Sequence, residues 1–215
     1  MATKFNECVA MDLKFYEGKI LLHMIDHASR LSSGSRISSK DPVVIIKSIF
    51  KNWITIFGRP GKFLSDNGGE FMNYQFIELC EKMNVSVKNT AGRSPWSNGL
   101  VERHNLVIAE MMDKVLAEDK CDFDLAFAWC LNAKNSLKNV NGFTPYQISM
   151  GQNPILPIAS ENDLPGNSLV HTSDIVRENL NAMHTARKVY IETESSRKIK
   201  TALSHNVRTD ASAKF

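Results

Sequence analysis

The chain has no apolar run near the roughly 18 residues that a membrane span requires. Its best candidates, Ile20 to Ile25 and Val43 to Ile46, are far too short. Cysteine is scarce: Cys8, Cys80, Cys121 and Cys130 lie far apart with no Cys-x-x-Cys pair, which excludes a disulfide frame and a zinc site and leaves reduced thiols. The first seven residues carry no signal-peptide hydrophobic stretch, so a reducing, intracellular compartment is expected. Charge of one sign is lacking too. Lys and Arg number 26 against 23 Asp and Glu, a net +3 that permits a polyanion partner without arguing for one. There is no internal repeat and no low-complexity tract. With 43% hydrophobic and 23% charged residues, the composition excludes a wholly disordered chain, a collagen-like fibre and a coiled-coil rod. A length of 215 residues suits one large domain, or one domain with an appendage.

What is present reads as alternating strands and helices up to about residue 160. Cys8 to Phe15 alternates as a strand, Glu17-Gly18 is a tight turn, and Lys19 to Asp26 is a second, strongly apolar strand. The Ser-rich segment Arg30 to Ile37 completes an antiparallel meander. Asp41 is a helix N-cap and Pro42 occupies the first helical position, where a missing N–H costs nothing. Ile45, Ile46, Ile49, Phe50, Trp53, Ile56 and Phe57 then repeat at helical spacing until Gly58 and Pro60 end the run. Lys62 to Ser65 is a short buried strand, Asn73 to Met83 a helix and Val85 to Lys88 a strand; Thr90 to Ser97 is a loop, with helices over Asn98 to Ala117 and Phe123 to Leu137. The order βββαβαβαα predicts an α/β fold, a mixed sheet with helices on its faces. We expect residues 1–157 to form this domain, 158–172 a linker, and 173–215 a basic helical connector. The connector's loose apolar face (Val176, Leu180, Met183, Tyr190) favours a solvated or partner-dependent helix.

Three acidic residues stand at unusual addresses. Asp12 lies inside the apolar strand Val9-Ala10-Met11-Asp12-Leu13, Asp66 ends a short strand ahead of Asn67-Gly68-Gly69, and Glu102 lies early in a long helix. Singly, each has an ordinary reading: the polar member of an alternating strand, a turn former, a favourable charge near a helix N-terminus. Together they mean more. If the first and fourth strands are neighbours, Asp12 and Asp66 project side by side and the helix brings Glu102 across. Clustered carboxylates repel unless cations neutralise them, and an all-oxygen set suits Mg²⁺. Two such ions about 4 Å apart stabilise the attacking and leaving oxygens of a phosphoryl displacement.

The segments Asp66-Asn67-Gly68-Gly69-Glu70-Phe71 and Ser97-Asn98-Gly99-Leu100-Val101-Glu102-Arg103-His104-Asn105 resemble the signature blocks of integrase catalytic cores, those of retroviruses and Gypsy-type long-terminal-repeat retrotransposons above all. The 35 residues between Asp66 and Glu102 match the family interval, and Gly142-Phe143-Thr144-Pro145-Tyr146, Gly151 and Pro154 resemble the segment that follows the core in the Gypsy-type branch. The resemblance covers residues 8 to 157. It implies a ribonuclease-H-like fold with a five-stranded sheet and a C-terminal helical extension. It also implies a DDE enzyme that trims the 3′ ends of element DNA and joins them to target DNA, acting in the nucleus or, before nuclear entry, in the cytoplasm.

Carried over by residue, Asp12 bridges two Mg²⁺ ions (Mn²⁺ substituting), Asp66 binds one and Glu102 the other. Arg93 and Arg103 meet DNA phosphates; Trp96 stacks on a base or serves as a hydrophobic anchor; Asn98 orients Glu102 or touches DNA. The implied partners are element and target DNA and further copies of the chain, as a homodimer or higher homo-oligomer, without a membrane. Ser94 stands where many relatives have His, and Leu100 where they have Gln. The family's zinc module and small basic barrel are not recognisable. A non-catalytic DNA- or protein-binding remnant is the alternative reading. A ribonuclease H is a third, disfavoured by the long interval to an acid borne on a helix.

Overall fold

The computed structural model describes residues 2–65, 69–89, 95–118, 121–138, 140–155 and 174–206. Strands β1 (Cys8–Tyr16), β2 (Lys19–Asp26) and β3 (Ser32–Ile37) form the expected meander. Its first turn is tight because Glu17 and Gly18 both take positive φ, 47° and 74°, as a primed hairpin turn requires. Strand β3 starts at Ser32, two residues later than its sequence suggests, because Asp26 organises the intervening turn by accepting from the Ala28 and Ser29 amides.

Strands β4 (Lys62–Ser65) and β5 (Ser86–Asn89) join as parallel partners, so the sheet runs β3-β2-β1-β4-β5. The neighbouring of the first and fourth strands is therefore real. Gly34 lies opposite His23, and a Cβ there would sit 2.1 Å from the Leu22 carbonyl oxygen, so only glycine lets β3 approach β2 this closely.

Helix α1 (Pro42–Ile49) opens on the predicted Asp41 cap but does not continue as one α-helix to Phe57. A π-helical segment, Phe50–Ile54, intervenes before the short α2 (Thr55–Phe57). The Asn52 side chain donates to the Ser48 carbonyl at 2.9 Å, the acceptor its own backbone N–H would use in an α-helix. Helix α3 (Tyr74–Lys82) follows with Asn73 as its cap. Helix α4 (Pro95–Glu118) begins at Pro95 rather than Asn98, the proline's fixed φ being suited to a helix start. Helix α5 (Phe123–Leu137) is as expected. Helix α6 (Pro145–Met150), which the strand and helix pattern does not suggest, is held by a capping box between Thr144 and Gln147.

The two sheet faces bury separate cores. Val9, Met11, Leu22, Met24 and Phe63 face α1, the π segment and α3, where Ile45, Ile49, Trp53 and Phe76 cover them. On the other face, Tyr16 and Leu21 meet Ile108, Met111 and Met112 of α4 and Phe127 and Cys130 of α5.

The long C-terminal helix α7 (Asp174–Asn206) goes against the solvated one of the two expected alternatives, solvated or partner-dependent, because it packs on the core. Its Ala182, Met183, Ala186, Val189 and Tyr190 are all buried, and Ala186, Val189 and Tyr190 join the core of α4 and α5. Two alanines let the helix approach closely, and small residues of this kind contribute little to an amphipathic pattern. The expected linker 158–172 lies outside the described residues. Among the described residues no helix is long and apolar enough to cross a membrane.

Candidate active site

Strand alternation sends Asp12 to the α4 side of the sheet, along with Cys8 and Ala10, and leaves it half-buried in the middle of β1. Its partner in the β1–β2 register is His23, on the same face. Helix α4 crosses this face with Val101, His104, Asn105 and Ile108 turned inward, one stripe of helical period. Glu102 and Arg103 fall outside that stripe and are exposed. Asn105 links helix to strand: its Nδ2 donates to Asp12 Oδ2 at 2.5 Å. Glu102 lies three residues before Asn105, so the two are neighbours on the helix surface. Asp12 and the helix carrying Glu102 are thus joined by one charge-assisted bond.

Strand β4 runs parallel to β1, pairing Leu64 with Ala10, and ends at Ser65. Asp66 and Arg93 lie outside the described residues. Trp96 and Asn98 belong to the first turns of α4 by backbone, Asn98 one turn before Glu102, and their side chains are likewise not described. Arg103 is exposed, as a phosphate contact requires. Among the described residues no group of three or more His, Cys, Asp or Glu side chains is assembled as a metal site. Of the expected acids, the described structure therefore brings Asp12 to the α4 helix that bears Glu102. Their hard carboxylate oxygens suit Mg²⁺ or Mn²⁺.

Behind Asp12 lies a buried polar cluster that sequence patterning misses. His23 Nδ1 meets Asn105 Oδ1 at 2.6 Å, and His23 Nε2 meets Ser32 Oγ at 3.0 Å. Lys134 of α5 donates to Ser32 Oγ at 2.5 Å and to the Arg30 carbonyl at 2.9 Å. Asn135 braces Ser32 from both sides, accepting its N–H and donating to its carbonyl. Exposure is 0% for Lys134, 1% for His23, 3% for Ser32 and 5% for Asn105. Burial, reinforced by the Lys134 charge, lowers the His23 pKa to about 3. Burial likewise pushes Lys134 well below the usual lysine range, with Lys138 and Arg30 acting in the same direction. His104, adjoining the cluster, is pushed down by burial and then by Lys134, and its Nδ1 has no hydrogen-bond partner among the described residues. A sequence signal existed for His23, a polar residue inside Leu21-Leu22-His23-Met24-Ile25. None existed for Lys134, whose partner Ser32 is 102 residues away.

Residues 2–95 match the Integrase core domain family. The chain is 27% identical over 124 residues to the retrovirus-related Pol polyprotein from transposon 412 of Drosophila melanogaster, across 56% of this chain and 10% of that protein. It is 30% identical over 136 residues to the Gag-Pol polyprotein of avian reticuloendotheliosis virus, across 63% of this chain and 12% of that one. The chain thus spans about a tenth of these relatives. Its fold is similar to that of the HTLV-2 integrase catalytic core domain in complex with magnesium (trimeric form), with a TM-score of 0.61 at 24% identity, covering 69% of this chain and 99% of that one. The mixed five-stranded sheet with flanking helices is thereby a ribonuclease-H-like architecture, extended by α7.

Proposed function

The chain belongs to the integrase core family of retroviruses and retrotransposons, and from that premise we propose that it is a metal-dependent polynucleotidyl transferase acting on element and target DNA. In this reading Asp12, Asp66 and Glu102 hold two Mg²⁺ ions, or Mn²⁺ in their place. When bound, such ions supply Lewis-acid stabilisation of the charge that develops in phosphodiester cleavage and strand transfer. The protein's own residues orient the groups: Asn105 holds Asp12 in one rotamer, and Arg103, exposed beside Glu102, meets backbone phosphates with Arg93. Asn98 and Trp96, at the start of α4, touch the DNA end. The Asn105–Asp12 bond carries the proposal, because it ties the strand of the first acid to the helix of the last across 93 residues of sequence.

Residues 1–157 then form the catalytic core, 158–172 a linker and 173–215 a connector whose α7 docks on that core. The trimeric HTLV-2 core supports assembly as a homo-oligomer. The working compartment is the nucleus, or the cytoplasm before nuclear entry.

The test is a disintegration assay on branched DNA with Mg²⁺ or Mn²⁺. The wild-type chain resolves the branch, and Asp12→Asn, Asp66→Asn and Glu102→Gln each abolish this without loss of fold by circular dichroism. Unchanged activity in Asp66→Asn refutes the assignment. An inactive wild type that still binds DNA with steep salt dependence identifies a binding remnant instead.

A further inference from the structure

We propose that Lys134, Ser32 and His23 form a one-way hydrogen-bond chain that acts through Asn105 to position the Asp12 carboxylate. The inference rests on the metal-binding role proposed for Asp12. Its direction follows from donor and acceptor chemistry. A carboxylate accepts only, so the Asn105 atom 2.5 Å from Asp12 Oδ2 is the Nδ2 donor. That leaves Asn105 Oδ1, an acceptor, facing His23 Nδ1 at 2.6 Å, so Nδ1 carries the proton. In the neutral imidazole Nε2 is then the acceptor, and Ser32 Oγ at 3.0 Å donates its single proton to it. Having spent that proton, Ser32 Oγ accepts from Lys134 Nζ at 2.5 Å. Every donor points toward Asp12.

The polarity holds whether Lys134 carries two protons or three, because the Arg30 carbonyl also only accepts from it. Hydrogen bonds aligned head to tail in a low dielectric reinforce one another. The chain starts on α5, crosses β3 and β2, and ends on β1 by way of α4, so three sheet strands and two helices determine one carboxylate's rotamer. Gly34 opposite His23 is part of the design, since it brings β3 close to β2 at this level. Residues of this kind, which orient a metal ligand without touching the metal, typically change metal affinity or activity by about 10–100-fold when removed.

Lys134→Met keeps much of the side chain's volume while removing the Nζ donor, so it breaks the chain at its origin; the Arg30 carbonyl and Ser32 Oγ each lose a donor, and the fold of the variant is checked separately by circular dichroism. The expected result is a half-saturating Mn²⁺ concentration, measured by titration calorimetry on the full chain well below the melting temperature of each variant, raised about 10-fold in Lys134→Met and in Ser32→Ala. Ile49→Val, in the core on the opposite face, leaves metal binding unmoved. Independently of metal, ¹⁵N NMR of the imidazole shows the Nδ1–H tautomer of His23. An Nε2–H tautomer, or metal affinity unchanged in both chain variants, overturns the proposal. A wild type that binds no Mn²⁺ overturns the metal-site reading beneath it, and the tautomer then judges the chain's direction by itself.

Discussion

Asn105→Ala is the sharpest perturbation of the candidate site, because one side chain serves two partners. Truncation removes a hydrogen bond to the Asp12 carboxylate, a class worth about 1.5–3 kcal/mol net. It also leaves the Nδ1–H of His23 buried without an acceptor, a penalty of about 1–3 kcal/mol. Because the terms share a network and do not add in full, we expect a loss of about 3 kcal/mol. For a chain of this size that corresponds to a fall in melting temperature of roughly 6–12 °C, read by circular dichroism or calorimetry. A double-mutant cycle isolates the second term. In a His23→Leu background there is no N–H to strand, so Asn105→Ala costs about half as much there. A fall of less than about 2 °C, or an equal cost in both backgrounds, refutes the inference that Asn105 joins His23 to Asp12.

Stability should also depend on pH with a definite sign. His23, held near a pKa of about 3 by burial against an ordinary value of 6.5, is neutral in the folded chain where the unfolded chain binds a proton, so stability falls as pH drops from about 6.5 toward 3; His23→Gln flattens this limb in pH-dependent urea denaturation, and an unchanged slope contradicts it. His27, also lowered by burial, adds to the same limb. Ala186→Asp places an unpaired carboxylate at a fully buried position between α7 and the core and should cost more than about 3 kcal/mol, whereas Ile199→Glu on the exposed side of the same helix stays within about 0.5 kcal/mol. Equal melting temperatures for those two variants contradict the docking of α7.

Much of the fold was legible because its signals are local. Asp41-Pro42, Glu17-Gly18 and Gly58 act through the φ and the capping hydrogen bonds of their own segments, and the structure keeps all three where the sequence puts them. Departures arise where a distant or subtle partner competes. The first long helix takes a π turn because Asn52 reaches Ser48, and α6 goes unnoticed because its evidence is one capping box over six residues. Helix α7 looks solvated in isolation because its contact face uses Ala182 and Ala186, and alanine is no mark of burial until a partner helix is present.

The same division runs through the site. Sequence by itself determined which residues are unusual: an acid in an apolar strand, an acid after a short strand, and a third on a helix beyond an interval of 35 residues. It also supplied the reason to propose hard cations, since clustered carboxylates repel one another unless such ions neutralise them. Tertiary structure alone decided what stands behind Asp12, because the strand register sets His23 beside it and the packing of α4 and α5 brings Asn105 and Lys134 within bonding distance of that register. A hydrogen bond acts over about 3 Å and depends on geometry, so no spacing along the chain encodes it until the sheet and helices have closed.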